Sequence, residues 1–217
     1  MKRLLFVLCA FSACTLMFSQ NKKVETFDSN RWRWIEGADK YQSVTIEDGY
    51  LVLYNHQTNK KETDYQNLAK SFAKLPLRPN EKFSLTIKYL IPNYNESEYQ
   101  ILFNTDKKCM MDEEEEGGFT SYILSMNGPE WTLLLGEYGE SNDVLPGKVK
   151  SKEEYPMELV IEKKSRNVSI ALNGIELYEG ELKISNPCIG FFVPLFDKKN
   201  SYIKIDEVII EQADGED

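Results

Sequence analysis

Between Tyr155 and Leu182 the chain reads YPMELVIEKKSRNVSIALNGIELYEGEL, and this stretch limits the fold more than any other. Met157, Leu159 and Ile161 alternate with Glu158 and Glu162. After KKSRN the same period returns in Val168, Ile170 and Leu172. A period of two places apolar groups on one face of an extended chain and polar groups on the other, which defines a half-buried strand. Asn173-Gly174 then supplies the two positive-φ positions of a type I′ turn and leads into Ile175 and Leu177. Three consecutive antiparallel strands are predicted here. A sheet that is dry on one face needs a second layer to cover it.

The same signature recurs along the chain. SVTIEDGYLVLY carries two apolar runs around Asp48-Gly49, a second tight-turn pair. KFSLTIKYLI sets Phe83, Leu85, Ile87 and Tyr89 on one face, against Lys82, Ser84, Thr86 and Lys88. SYILSM, EWTLLL, CIGFFVPLF and YIKIDEVII supply further strands, the first two separated by Asn127-Gly128-Pro129. Ile203 and Ile205 share a parity that Val208 and Ile210 do not, so the step over Asp206 and Glu207 reads as a β-bulge. In NLAKSFAKL, Leu68, Ala69, Phe72 and Ala73 have helical spacing, while the surrounding strands argue for another strand. The predicted class is all-β, a two-sheet antiparallel sandwich.

The first residues, MKRLLFVLCAFSACTLMFSQ, place Lys2 and Arg3 ahead of the apolar run Leu4 to Ala13, in which Ser12 is the one polar residue. That order is expected of an export signal over residues 1–20 and is too short for a membrane span. FSAC offers an alternative, a lipoprotein signal ending before Cys14 with an outer-membrane lipid anchor on that cysteine. Residues 21–212 are expected to form one β-sandwich domain and 213–217 an acidic tail. The expected location is secreted, periplasmic or at the cell surface. A formal net charge of −9 repels phosphate backbones, so nucleic acid is not expected as a partner. Beyond the signal lie Cys109 and Cys188, for which a single bridge and two thiols are equally open readings.

Chemical motifs are few. CMMDEEEEGGF, residues 109–119, sets five acids before two glycines. Mutual repulsion makes a solvated spacer the first reading, a calcium loop using Asp106, Asp112, Glu113 and Glu114 the second, and catalysis the last. His56, the single histidine, lies in the polar stretch YNHQTNKK and reads as a surface residue. Neither a GxSxG, a P-loop nor a dinucleotide fingerprint occurs.

Four segments, VETFDSNRWRW, VTIEDGYLVLY, VSIALNGIELYEG and YIKIDEVIIEQ, together resemble the concanavalin A-like jelly rolls. That superfamily includes laminin G-like modules, family 16-type glycoside hydrolases and exported sugar-hydrolase-like domains of Bacteroidota. The resemblance implies a jelly-roll sandwich whose opening and closing strands lie close together. It also implies a structural Ca²⁺ held by Glu25, the Gly49 carbonyl and Asp206. Family 16 catalysis uses a Glu-x-Asp-x-x-Glu strand, and the pattern is absent here. Glu137 and Glu140 are the weak substitutes, at opposite parities in a segment, GEYGESND, that reads as a loop. The leading expectation is therefore a non-catalytic module that binds a polysaccharide or other glycan. A divergent glycoside hydrolase and an envelope adhesion module are the alternatives. Sugar rings stack on flat aromatic faces, and Tyr94, Tyr99, Trp131 and Tyr138 are the expected binding residues. Trp32 and Trp34, sharing one strand face, are assigned to the core.

Overall fold

A computed structural model describes residues 20–38, 42–55, 69–92, 98–104, 122–127, 130–135, 138–143, 154–193 and 201–213. The acidic run 109–119, Cys14, His56, Tyr94 and Glu137 lie outside the described residues. Every described element is a strand, and every pairing is antiparallel. The nine-stranded sheet runs in the order β13 (Ile175–Glu181), β12 (Asn167–Leu172), β11 (Tyr155–Lys164), β6 (Phe83–Ile91) and β15 (Ser201–Ala213). It continues through β4 (Tyr50–Asn55), β3 (Gln42–Glu47) and β2 (Gly37–Ala38). β1 (Gln20–Glu25) also pairs with β15. The six-stranded sheet runs β10 (Tyr138–Asp143), β9 (Glu130–Leu135), β8 (Tyr122–Asn127), β7 (Glu98–Phe103), β14 (Cys188–Val193) and β5 (Ala69–Lys74).

Alternation decides which residues lie between the sheets. In β6 Phe83, Leu85, Ile87, Tyr89 and Ile91 are buried, and Ser84, Thr86, Lys88 and Leu90 are only partly covered. From the facing sheet come Ile101, Leu124, Leu133, Ile189, Phe191 and Val193, all in the same apolar cluster. Burying each such Val, Leu, Ile or Phe side chain contributes roughly 1.5–3 kcal/mol, so the shared dry layer is what joins the two sheets.

Turn chemistry fixes the register. Asp48 and Gly49 adopt φ of 52° and 78°, and Asn173 and Gly174 adopt 49° and 76°, as a type I′ turn requires. The β15 ladder with β6 shifts between Ile205 and Glu207, where the parity change in the sequence places a bulge. One edge of β15 pairs first with β4, through Ser201 to Ile205, and then with β1, through Val208 to Ala213. Its other edge is held by β6 from Lys204 to Gln212.

Three expectations are corrected or decided. The helical spacing of NLAKSFAKL is overridden by pairing with β14, and Ala69–Lys74 is a strand. Trp32 and Trp34 do not share a strand. They sit in the connection from β1 to β2, where Phe27 and Arg33 take positive φ. Trp34 still reaches the core, stacked on Phe191 at 5.4 Å, because Asn30 binds both its backbone groups: Oδ1 accepts from the amide at 2.6 Å and Nδ2 donates to the carbonyl at 2.8 Å. The segment carrying Glu140 is a strand, not a loop, since β10 completes the edge of the six-stranded sheet.

Candidate functional site

The outer face of the six-stranded sheet is built by the residues whose parity turns them away from the core. In β7, Tyr99, Ile101 and Phe103 are buried, leaving Glu98, Gln100 and Leu102 on the outside. Gln100 lies opposite Ser125 of β8, which lies opposite Thr132 of β9. On the other side Gln100 faces Phe192 of β14, which faces Lys70 of β5. All five of these neighbours in the row are partly exposed. One cross-strand row thus combines hydroxyls, an amide, an ammonium and one aromatic ring. A parallel row containing Phe72, Gly190, Leu102 and Leu134 is apolar, and its Phe72 and Gly190 are buried.

Glu98 stands at the end of this face. It occupies the register position opposite Asn127, which lies opposite Glu130, itself opposite Asp143. The Glu98 Oε2 atom is buried and has no hydrogen-bond partner among the described residues. Burial disfavours the charged form and pushes the Glu98 carboxyl up to about 7. A carboxyl that titrates near neutrality can donate or accept a hydrogen bond, and so serves equally as a ligand for hydroxyls or as a proton donor. The sequence signal was present in EYQILF, where Glu98 and Gln100 share one parity.

The aromatic residues expected to bind are redistributed. Tyr99 is 2% exposed and Trp131 1%, so neither presents a free ring to solvent. Tyr99 belongs to the strand and not to the polar stretch before it, and its hydroxyl pairs with that of Tyr89 at 2.9 Å in the core. Trp131 is opposite Met126 and turns inward with Leu133. Tyr138 begins β10 opposite Leu135, and Glu140 lies opposite Leu133. Phe192 is the aromatic that the outer face offers in their place.

The strand β7 also shows what the Glu-x-Asp-x-x-Glu pattern would require. Glu98 holds the first position, but Gln100 stands two residues on and Phe103 five residues on, the latter buried in the core. One strand therefore presents one carboxylate on this face, not a pair.

Of the residues expected as calcium ligands, Glu25 ends β1. It is fully buried, its Oε2 accepts from the Trp32 amide at 2.9 Å and its Oε1 from the Phe27 amide at 3.4 Å. Those bonds hold the start of the β1–β2 connection in its left-handed bend. Asp206 is exposed at the β15 bulge, whereas Glu25 pairs with the core residue Val208. Gly49 sits in its hairpin turn beside the Thr26 carbonyl. Among the described residues, no three acidic, cysteine or histidine side chains converge in a way that would hold a metal ion.

Two facing antiparallel sheets in this order form a concanavalin A-like jelly roll. No protein-family model matches the chain, and no curated protein matches it. Solved structures match its fold. The catalytic domain of an endo-1,3-β-glucanase (laminarinase) from Thermotoga petrophila aligns with a TM-score of 0.60 at 12% identity, covering 90% of this chain and 100% of that one. A structure described with endo-acting O-glycanases of the human gut microbiota aligns with 0.60 at 13% identity, over 88% and 99%. A sialidase aligns with 0.55 at 14% identity over 83% of this chain, which spans 17% of the sialidase's length.

Proposed function

We propose that this protein is an exported, non-catalytic carbohydrate-binding module whose ligand lies across the outer face of the six-stranded sheet. The observation that carries this reading is the row Lys70, Phe192, Gln100, Ser125 and Thr132, which offers one ring for stacking among donors and acceptors. Pyranoses present apolar C–H faces flanked by hydroxyls, and such a surface matches both halves of that chemistry. The solved structures of like fold include glycan-acting enzymes, which supports a glycan as the ligand class. The Lys2-Arg3 start and the apolar run behind it support export.

The test is affinity electrophoresis and calorimetry against a polysaccharide panel that includes β-glucans and mucin glycans. Phe192→Ala is expected to weaken binding about tenfold, the scale of one lost stacking contact. Unaltered affinity in that variant would remove the outer face from consideration.

A second reading, a glycoside hydrolase, is favoured by one observation: the Glu98 carboxyl is held near 7 and so carries a proton at mildly acidic pH. Glu130 is exposed two strands away, so the backbones stand roughly 9–10 Å apart, leaving room for a water between the carboxyls. Reducing-end release abolished by Glu98→Gln would replace the binding module with this enzyme.

A further inference from the structure

At the opposite pole of the sandwich lies a cavity of about 560 Å³ lined by Asn80, Lys163, Ser165, Arg166, Glu181 and Lys183, with two apolar neighbours. Its distance from the outer-face site follows from the register. Lys163 pairs with Phe83 at the start of β6, whereas Glu98 enters β7 after β6 has ended at Ile91. Three cationic side chains meet one carboxylate in this wall, on a chain whose formal net charge is −9. Basic charge is therefore concentrated here against the general balance.

Lys163 is the residue that distinguishes this cavity from an ordinary charged surface. It is 7% exposed, at a position whose parity belongs to the core face of β11. Its Nζ donates to the Glu81 carbonyl at 3.2 Å, the one acceptor found for it among the described residues. An ammonium has three protons to place, and burying it without an anion is costly. Two nearby carboxylates are otherwise engaged, Glu81 with Arg78 at 2.9 Å and Glu162 with Lys164 at 2.9 Å, which leaves Glu181 as the one carboxylate lining the wall.

The backbone around the cavity is also specialised. Ser165 holds φ at 66° in the β11–β12 turn, a conformation usually left to glycine, and Arg166 follows it. The Arg166 carbonyl accepts from the Leu182 amide at 3.3 Å, fastening the turn to the segment that carries Lys183. That segment is anchored in turn by Asn104, whose Nδ2 donates to the Lys183 carbonyl at 2.8 Å. The three cations are thus mounted on elements tied to one another.

We infer that this cavity is an oxyanion-binding site, taking a single sulfate, phosphate or carboxylate group between Lys163, Arg166 and Lys183. Charge-assisted hydrogen bonds from a guanidinium and two ammonium groups suit such a group, and Asn80 and Ser165 offer neutral contacts to the atoms around it. The site is independent of the outer face, and its ligand need not be the one bound there.

The full chain is titrated at low ionic strength with inorganic sulfate, inorganic phosphate, glucuronate and, as the uncharged comparison, glucose, followed by amide NMR shifts. Saturable shifts centred on residues 163–166 and 181–184 are expected for at least one of the anions and not for glucose. Which anion saturates identifies the source of the oxyanion. Arg166→Gln, an exposed position that leaves the core intact, is expected to weaken that binding about tenfold. Glu98→Gln should leave it unchanged. Lys163→Met is read only alongside its unfolding curve. Shifts that fail to saturate, affinity equal in Arg166→Gln and the parent, or equal loss in Glu98→Gln would each overturn the assignment.

Discussion

Tyr89 and Tyr99 meet edge-on at 5.5 Å with their hydroxyls 2.9 Å apart, deep between the sheets. Burial drives both phenols well above their ordinary range, so they stay neutral and each hydroxyl depends on the other. Tyr99→Phe removes one partner and strands the Tyr89 hydroxyl, which is expected to cost about 1–3 kcal/mol in urea unfolding. Replacing both by Phe should cost less than the sum of the single changes, because no orphan remains. Strict additivity would show that the pair is not coupled. This contact was hidden in the sequence for a simple reason. Tyr99 follows the polar stretch PNYNESE, and proximity to polar residues outweighed the alternation of EYQILF that turns it inward. Phe191 and Phe192 posed the converse problem: adjacent identical residues must face opposite ways, and in CIGFFV only the shared parity of Ile189 and Val193 marks Phe191 as the dry one.

The connection between β13 and β14 has no strand pairing of its own, and one side chain from β7's end supplies what the ladder does not. Asn104 is buried at a φ of 59°, with Oδ1 accepting from the Ser185 and Asn186 amides at 2.7 and 3.0 Å. With its bond to the Lys183 carbonyl, it satisfies three backbone groups at once. Asn104→Ala is expected to destabilise the fold by roughly 2–4 kcal/mol, since it orphans buried groups and forces a positive φ on alanine. Asn104→Gly relieves the backbone but restores no bond, so its unfolding midpoint should fall between those of the parent and the alanine variant. An alanine variant as stable as the parent would show that water replaces the clamp. Hairpins were far more legible than this connection. Asp48-Gly49 and Asn173-Gly174 state their turns in two residues, whereas the clamp joins positions some eighty apart in the chain.

Layering, alternation and the β15 bulge could all be read from the chain, but strand order could not, because the hairpins are joined to one another by pairings between strands far apart in sequence, such as β6 with β11 and β15, and β14 with β5 and β7. The outer face was therefore invisible as a surface: its residues come from five strands whose order had first to be known. Its one perturbed carboxyl has a global consequence. The folded-state value of Glu98, about 7, lies above its ordinary 4.5, so the folded chain holds a proton that the unfolded chain releases across that window. Its contribution to stability therefore declines as pH rises from about 4.5 through about 7. Comparing urea midpoints at about pH 5 and about pH 8, Glu98→Gln is expected to shrink the difference seen in the parent. An unchanged difference would place the carboxyl in water. The most far-reaching feature concerns synthesis. Among the described strands, the half-sheet of β6 and β11–β13 and the half-sheet of β2–β4 are hydrogen-bonded to each other through β15, the last of these strands to leave the ribosome. Until residue 201 emerges, the nascent chain carries two unfinished ribbons with bare edges, so a ribosome stalled there would display an aggregation-prone intermediate in need of a holding chaperone.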